Sequence, residues 1–253
     1  MSSPSAPPRR LRRRVVAVGG IAATIACGMA GLWTAAGFFA GEATRLYPAH
    51  APALPIAAVV FSGDLGLRFG MAAETTEGLA AQGVTVLGIN TPTLFGRWRS
   101  AATVDRIVAD GVRAGLARTG AERLVLIGQS FGADILQTGL IALPADLRAR
   151  VAGVVLVVPG ETIFFRADPS GIAYLGKPAS RAADTVNESD WAPLTCIYGI
   201  EEGDSACPLV HRREARVIAM PGGHFLKNDH SALVAHEMDA VRRALPAPAG
   251  AVR

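Results

Sequence analysis

Residues 124–134 read Leu124-Val125-Leu126-Ile127-Gly128-Gln129-Ser130-Phe131-Gly132-Ala133-Asp134. The leading apolar run suits a strand, and residues 133–143 then suit a helix. Between them, the G-x-S-x-G spacing predicts a sharp strand-to-helix turn, the nucleophile elbow, which stands a serine hydroxyl above the edge of a sheet. Its glycines let the backbone turn without side chains in the way. The following helix aims free N–H groups at the spot where negative charge would develop. The plain alternative is a serine in a tight glycine turn with no chemistry.

Working outward, apolar runs at 56–61, 84–89, 151–158, 194–198 and 215–220 read as further strands. Residues 70–82 and 233–245 suit helices. Residues 101–118 carry Val104, Ile107, Val108, Val112 and Leu116 on one helical face. Residues 159–190 lose this period and gain Gly160, Pro169, Gly171, Gly176 and Pro178, so an irregular excursion over the site is expected. Alternating strands and helices predict an α/β fold of the α/β-hydrolase type, a mostly parallel sheet with helices on both faces, over residues 56–245. Residues 246–253 read as a frayed tail.

A serine needs a base, and this fold supplies its partners in the order Ser, acid, His. His224, in Met220-Pro221-Gly222-Gly223-His224-Phe225, follows the last strand on the side where Ser130 emerges. His50 and His211 lie off that edge, and His230 and His236 belong to the terminal helix. The acid belongs after residues 194–198, where Glu201, Glu202 and Asp204 stand. Asp204 is favoured and Glu202 is second; the task is to fix the imidazole tautomer and stabilise the imidazolium. The N–H of Phe131 is one expected oxyanion donor. The loop Ser62-Gly63-Asp64-Leu65-Gly66 supplies the other, at Asp64. Asp134, one helical turn beyond Ser130, either complements the helix N-terminus or meets a cationic group of a substrate.

The chain has 253 residues, half of them hydrophobic and 18% charged. That is too apolar for a disordered chain. The net charge of +4 is misleading, because five of the 25 basic residues (Arg9, Arg10, Arg12, Arg13, Arg14) precede the first acid, Glu42, leaving 20 against 21 acidic residues. No basic stripe marks the folded part, so a nucleic-acid partner is not expected.

Residues 15–40 carry no charge, a run longer than the roughly 20 residues that cross a bilayer as a helix. The arginine cluster on its N-terminal side keeps that end in the cytoplasm and sends the remainder across the membrane. Residues 1–40 therefore read as a signal anchor, or as a signal peptide cleaved near Ala35-Ala36-Gly37; a buried helix is the third option. Paired arginines leave twin-arginine export open. The expected address is the periplasmic side of a bacterial inner membrane, anchored or secreted. Residues 41–55, with Pro48, Pro52 and Pro55, read as a linker.

Cys27 lies in the apolar run. Cys196 and Cys207 are either bridged, closing a small loop in an oxidising compartment, or two unrelated thiols. No cysteine or histidine pairs stand at zinc spacing, and neither a metal nor an organic cofactor is expected.

Three segments resemble the bacterial virulence protein VirJ and AcvB family. Gly128-Gln129-Ser130-Phe131-Gly132-Ala133-Asp134 is similar to its G-x-S-F-G-A-D elbow. The stretch from Cys196-Ile197-Tyr198-Gly199 to Asp204-Ser205-Ala206-Cys207-Pro208 is similar to its C-x-Y-G-x-E-E-x-D-S/T-x-C-P signature, and Pro221-Gly222-Gly223-His224 to its P-G-G-H box. Two departures stand out: Leu65 and Leu67 replace a glycine and a tryptophan in the loop after the first strand. Residues 93–98 also lack the family's Y-F-W cluster. The resemblance implies an exported α/β-hydrolase and, from its best-characterised members, cleavage of the lysyl ester on lysyl-phosphatidylglycerol.

The expectation is thus an exported serine esterase using Ser130, Asp204 and His224, acting on an ester substrate that includes a phospholipid head group. The rival is a catalytically silent periplasmic accessory protein on the same scaffold.

Overall fold

The computed structural model describes residues 9–50 and 52–246, with the side chains at 9–17, 19, 21 and 22 outside that set. The chain enters through helix α1 (Arg9–Ala35) and lays down a short edge strand, β1 (Thr44–Tyr47). Alternation follows: β2 (Ala57–Phe61), α2 (Met71–Ala81), β3 (Thr85–Ile89), α3 (Thr91–Phe95), α4 (Ala101–Thr119), β4 (Leu124–Gln129), α5 (Phe131–Gly139), α6 (Ala145–Arg148) and β5 (Val151–Val157). An excursion then carries a two-stranded ladder, β6 (Thr162–Ile163) with β7 (Ser180–Arg181). The chain returns through β8 (Leu194–Gly199), β9 (Arg216–Met220) and α7 (His230–Arg243).

The main sheet has seven strands in the order β1-β3-β2-β4-β5-β8-β9. All pairs are parallel except β1 on β3, where Thr44 faces Ile89 and Tyr47 faces Val86. Every residue of β2, β4 and β5 is buried, as continuous apolar runs require when helices cover both faces. Alternate residues serve opposite cores. Val59, Phe61 and Leu126 meet Val104, Val108 and Val112 of α4 and Leu136 of α5. Ala58, Val60 and Ile127 meet Leu79 of α2 and Leu233, Met238 and Val241 of α7. Helix α4 starts where the Ser100 hydroxyl accepts the Thr103 N–H and stops at Gly120 in the left-handed conformation.

Two expectations need correction. Residues 41–55 are not simply a linker: β1 lies within them as an antiparallel edge, anchored by Tyr47, whose ring is buried under the Arg45 guanidinium. Four residues with half-buried alternation leave little periodicity to read. The helix after the elbow begins at Phe131, two residues early, because the turn is completed within Ser130 alone.

Among the described residues, no helix is long and apolar enough to cross a membrane. The arginine-cluster side chains, residues 1–8 and the tail from 247 onward lie outside the described set, and with them the expectations for the extreme N-terminus and the frayed tail.

Candidate active site

Strand β4 ends beneath the site and α5 begins above it, so Ser130 must turn the chain in one step. It does so at φ 52°, ψ −124°, a backbone conformation that costs a non-glycine residue about 1–3 kcal/mol. The surroundings enforce it. The Ser130 N–H donates to Val157 O at 2.8 Å, and its carbonyl accepts from Ala133 N and Asp134 N. A Cβ on Gly132 would lie 2.2 Å from Phe61 O, and one on Gly128 would lie 2.6 Å from the Ala133 Cα. Only glycine permits helix α5 to sit this close to the sheet.

The Ser130 Oγ lies 2.8 Å from His224 Nε2, and His224 Nδ1 lies 2.5 Å from Glu202 Oε1. The Glu202 side chain is 5% exposed and that of His224 is 40% exposed. An imidazole held between a hydroxyl and a shielded carboxylate can take a proton at Nε2 while the carboxylate holds the Nδ1 proton. The loops that carry base and acid are stitched together: Ile200 N donates to Met220 O, and Glu201 N donates to Gly222 O.

The acid expected from the sequence was Asp204, and here the geometry differs. Asp204 is exposed and makes no hydrogen bond to the ring. Its backbone carbonyl instead accepts from Glu161 N. The turn closed by Glu202 N on Gly199 O points the earlier residue at His224. Chain spacing alone does not distinguish two acids on one turn. Cys196 of β8 and Cys207 are joined by a disulfide across this loop, so Glu202 is carried on a cross-linked segment.

Phe131 opens α5, and its N–H is among the helix donors with no intrahelical acceptor. The second expected donor lies on the loop after β2, which runs beside the serine: a Cβ on Gly63 would lie 3.3 Å from Ser130 Cβ and 3.9 Å from its Oγ. The side chain of Asp64 points elsewhere. Its Oδ1 accepts from Tyr174 OH at 2.6 Å and from Asp168 N at 2.9 Å, pinning the excursion over the site. Burial pushes the Asp64 carboxyl up to about 6, opposed by these hydrogen bonds. Tyr174, in an irregular segment, carries no sequence signal and was not anticipated.

Asp134 accepts from Gly160 N at 2.9 Å, and burial holds its pKa well above the usual carboxylate range. The nearby carboxylates of Asp64, Glu202 and Asp204 push the same way. These four acids line one cleft of about 220 Å³ with Ser130, Phe131, Tyr174 and His224, and among the described residues no Lys or Arg lines it. A second, more apolar cleft of about 360 Å³ meets Ser130 and His224 from the side of Phe69, Met71 and Phe225.

Also unread from the sequence is a buried network beneath the elbow. Glu237 of α7 accepts from Thr75 Oγ1 at 2.8 Å and from Gln129 Nε2 at 3.2 Å, joining α2, the elbow and α7.

A family model described as bacterial virulence protein (VirJ) matches residues 55–245. No curated protein matches the chain. Among solved structures, it is similar to a lipase-esterase related protein from Clostridium acetobutylicum (10% identity, covering 79% of this chain and all of that one, TM-score 0.59). Est1E from Butyrivibrio proteoclasticus, solved with ferulic acid, is similar at 14% identity (79% and 95% covered, TM-score 0.54). The α/β serine hydrolase XC6422 from Xanthomonas campestris, described as lacking a lid, is similar at 21% identity (81% and 89% covered, TM-score 0.51). At these identities the likeness establishes the α/β-hydrolase fold.

Proposed function

This chain belongs to the VirJ family of bacterial virulence proteins, and from that premise we propose that it is a serine hydrolase cleaving esters. The observation that carries the reading is the continuous Glu202–His224–Ser130 hydrogen-bond chain, whose Ser130 and His224 line two clefts. In this mechanism His224 Nε2 takes the Ser130 proton as Oγ attacks the ester carbonyl, and Glu202 stabilises the imidazolium. The N–H groups of Phe131 and Asp64 hold the oxyanion. His224 then protonates the departing alkoxide. Water, activated by the same ring, releases the acyl group and restores Ser130.

For the substrate, the reading is an aminoacyl ester carried on phosphatidylglycerol, cleaved to the free amino acid and the parent lipid. The family resemblance supports it, as does a cleft lined by Asp64, Asp134 and Asp204 with, among the described residues, no Lys or Arg, which suits an ammonium group. Delivery across the membrane through residues 15–40 would bring the clefts to lipid head groups, and a Cys196–Cys207 bridge is consistent with an oxidising compartment.

The test uses full-length protein in detergent. A fluorophosphonate probe should label wild type and not Ser130→Ala, and amino-acid release should follow addition of lysyl- or alanyl-phosphatidylglycerol. Failure of the probe to label wild type would favour the silent scaffold. Turnover of a plain short-chain ester with both lipids untouched would leave an esterase and remove the lipid reading.

A further inference from the structure

The end of α1 is built into the hydrolase domain at one point, and that point touches the loop beside Ser130. Ala36 is 2% exposed. Trp33 and Phe38 stack with ring centroids 5.0 Å apart, and Phe38 packs against the α4/α5 core. The junction is organised by Asn90, the residue between β3 and α3, which is itself buried.

Its amide is used on both sides. Oδ1 accepts the Leu67 N–H at 3.1 Å, which fixes which end of the amide is oxygen, since that partner only donates. Nδ2 donates to Ala36 O at 3.2 Å and to Thr93 Oγ1 at 2.7 Å. The Thr93 hydroxyl in turn donates to Gly37 O at 2.7 Å. Gly66 is clamped between the two: a Cβ there would lie 2.3 Å from Ala36 O and 2.4 Å from Asn90 Oδ1. Gly66 N donates to Gly63 O, closing the turn that contains Asp64. An unbroken set of contacts thus runs from the N-terminal stem through Asn90 and Leu67 to the turn packed on Ser130.

We propose that Asn90 is a positioning residue, and that with the Ala36–Gly37 stem it braces the Gly63–Gly66 turn so that the Asp64 N–H faces the oxyanion. The proposal rests on the hydrolase reading above and extends it: the stem of the N-terminal helix is a working part of the active site. Cleavage at Ala35-Ala36-Gly37 would cut into the brace. Removing one oxyanion donor outright costs about 10²–10³ in kcat; loosening its loop should cost about tenfold or more, with KM little changed, because the donor acts on charge that develops after binding.

The experiment is done on the full-length chain in detergent with a short-chain ester. Gly37→Ala is the disruptive variant, because φ is +86° and its Cβ would meet Asn90 Nδ2 at 2.3 Å. Gly41→Ala is the control, with open space around its Cβ. Thr93→Val removes the hydroxyl that holds Gly37 O, and Thr93→Ser keeps it. Expected results are a tenfold or larger fall in kcat and in the rate of fluorophosphonate labelling for Gly37→Ala and Thr93→Val, with KM within about twofold of wild type. Gly41→Ala and Thr93→Ser should behave as wild type. If Gly37→Ala loses cooperative unfolding, the Thr93 pair decides. Wild-type kcat in folded Thr93→Val, or a loss shared equally by Thr93→Val and Thr93→Ser, overturns the brace while leaving the hydrolase intact. An unlabelled wild type instead overturns the hydrolase reading.

Discussion

Glu202 Oε1 sits 2.5 Å from His224 Nδ1, although Asp204 is carried on the same disulfide-closed loop. The ring is therefore paired with the shielded acid and not with the exposed one. Glu202→Gln should lower kcat on a short-chain ester by about 10³–10⁴-fold, because an amide that donates to Nδ1 favours the wrong tautomer. Asp204→Asn should stay within a few-fold. Steady-state kinetics on the two purified variants distinguish them, and the opposite ranking would reassign the acid.

Asp64 turns a buried carboxyl into a pH-dependent charge in the acidic cleft. With its pKa pushed up to about 6, it is mostly protonated at pH 5 and mostly ionised at pH 7. If the substrate carries an ammonium group, KM for the aminoacyl ester should fall across that interval, whereas a neutral ester of similar size should show no such trend. Asp64→Asn should flatten the dependence, and Tyr174→Phe, which removes the hydroxyl donating to Asp64, should shift it toward higher pH.

Glu237 should make stability decline toward alkaline pH. Burial raises its pKa from 4.5 to about 8, so between these values the folded chain keeps a proton that the unfolded chain has released. Its contribution is complete below about pH 4.5, is lost at up to about 1.4 kcal/mol per pH unit through the interval, and levels off above about pH 8. Glu237→Gln should remove this slope. Thermal midpoints at pH 5 and pH 8.5 should drop further for wild type than for the variant.

The Cys196–Cys207 bridge closes the loop that carries Glu202. Cys196→Ser with Cys207→Ser should cost about 2–3 kcal/mol of unfolding free energy, the loop-closure value for a separation of this size. Urea titrations read this directly. Activity should fall further than the folded fraction does, since the acid loses its cross-linked support.

The elbow was legible because its requirements are local: a buried run, two glycines and a helix start follow one another within nine residues. The alternation of strands and helices was legible for the same reason, since each element shows its own period. The histidine loop lay close enough to a strand end for its proximity to the serine to be argued from fold class, whereas the Cys196–Cys207 bridge stood as one of two open readings. What the linear sequence left undecided required knowing how separate turns pack. Glu202 rather than Asp204 faces the ring because Gly199, Gly222 and the disulfide fix the orientation of one turn. Asp64 meets Tyr174 across 110 residues, Asn90 meets Ala36 across 54, and Glu237 meets Gln129 across 108. None of these partners is marked by spacing or composition. Each becomes a partner only when burial removes water and leaves a polar group with only the donors and acceptors that the packed chain supplies.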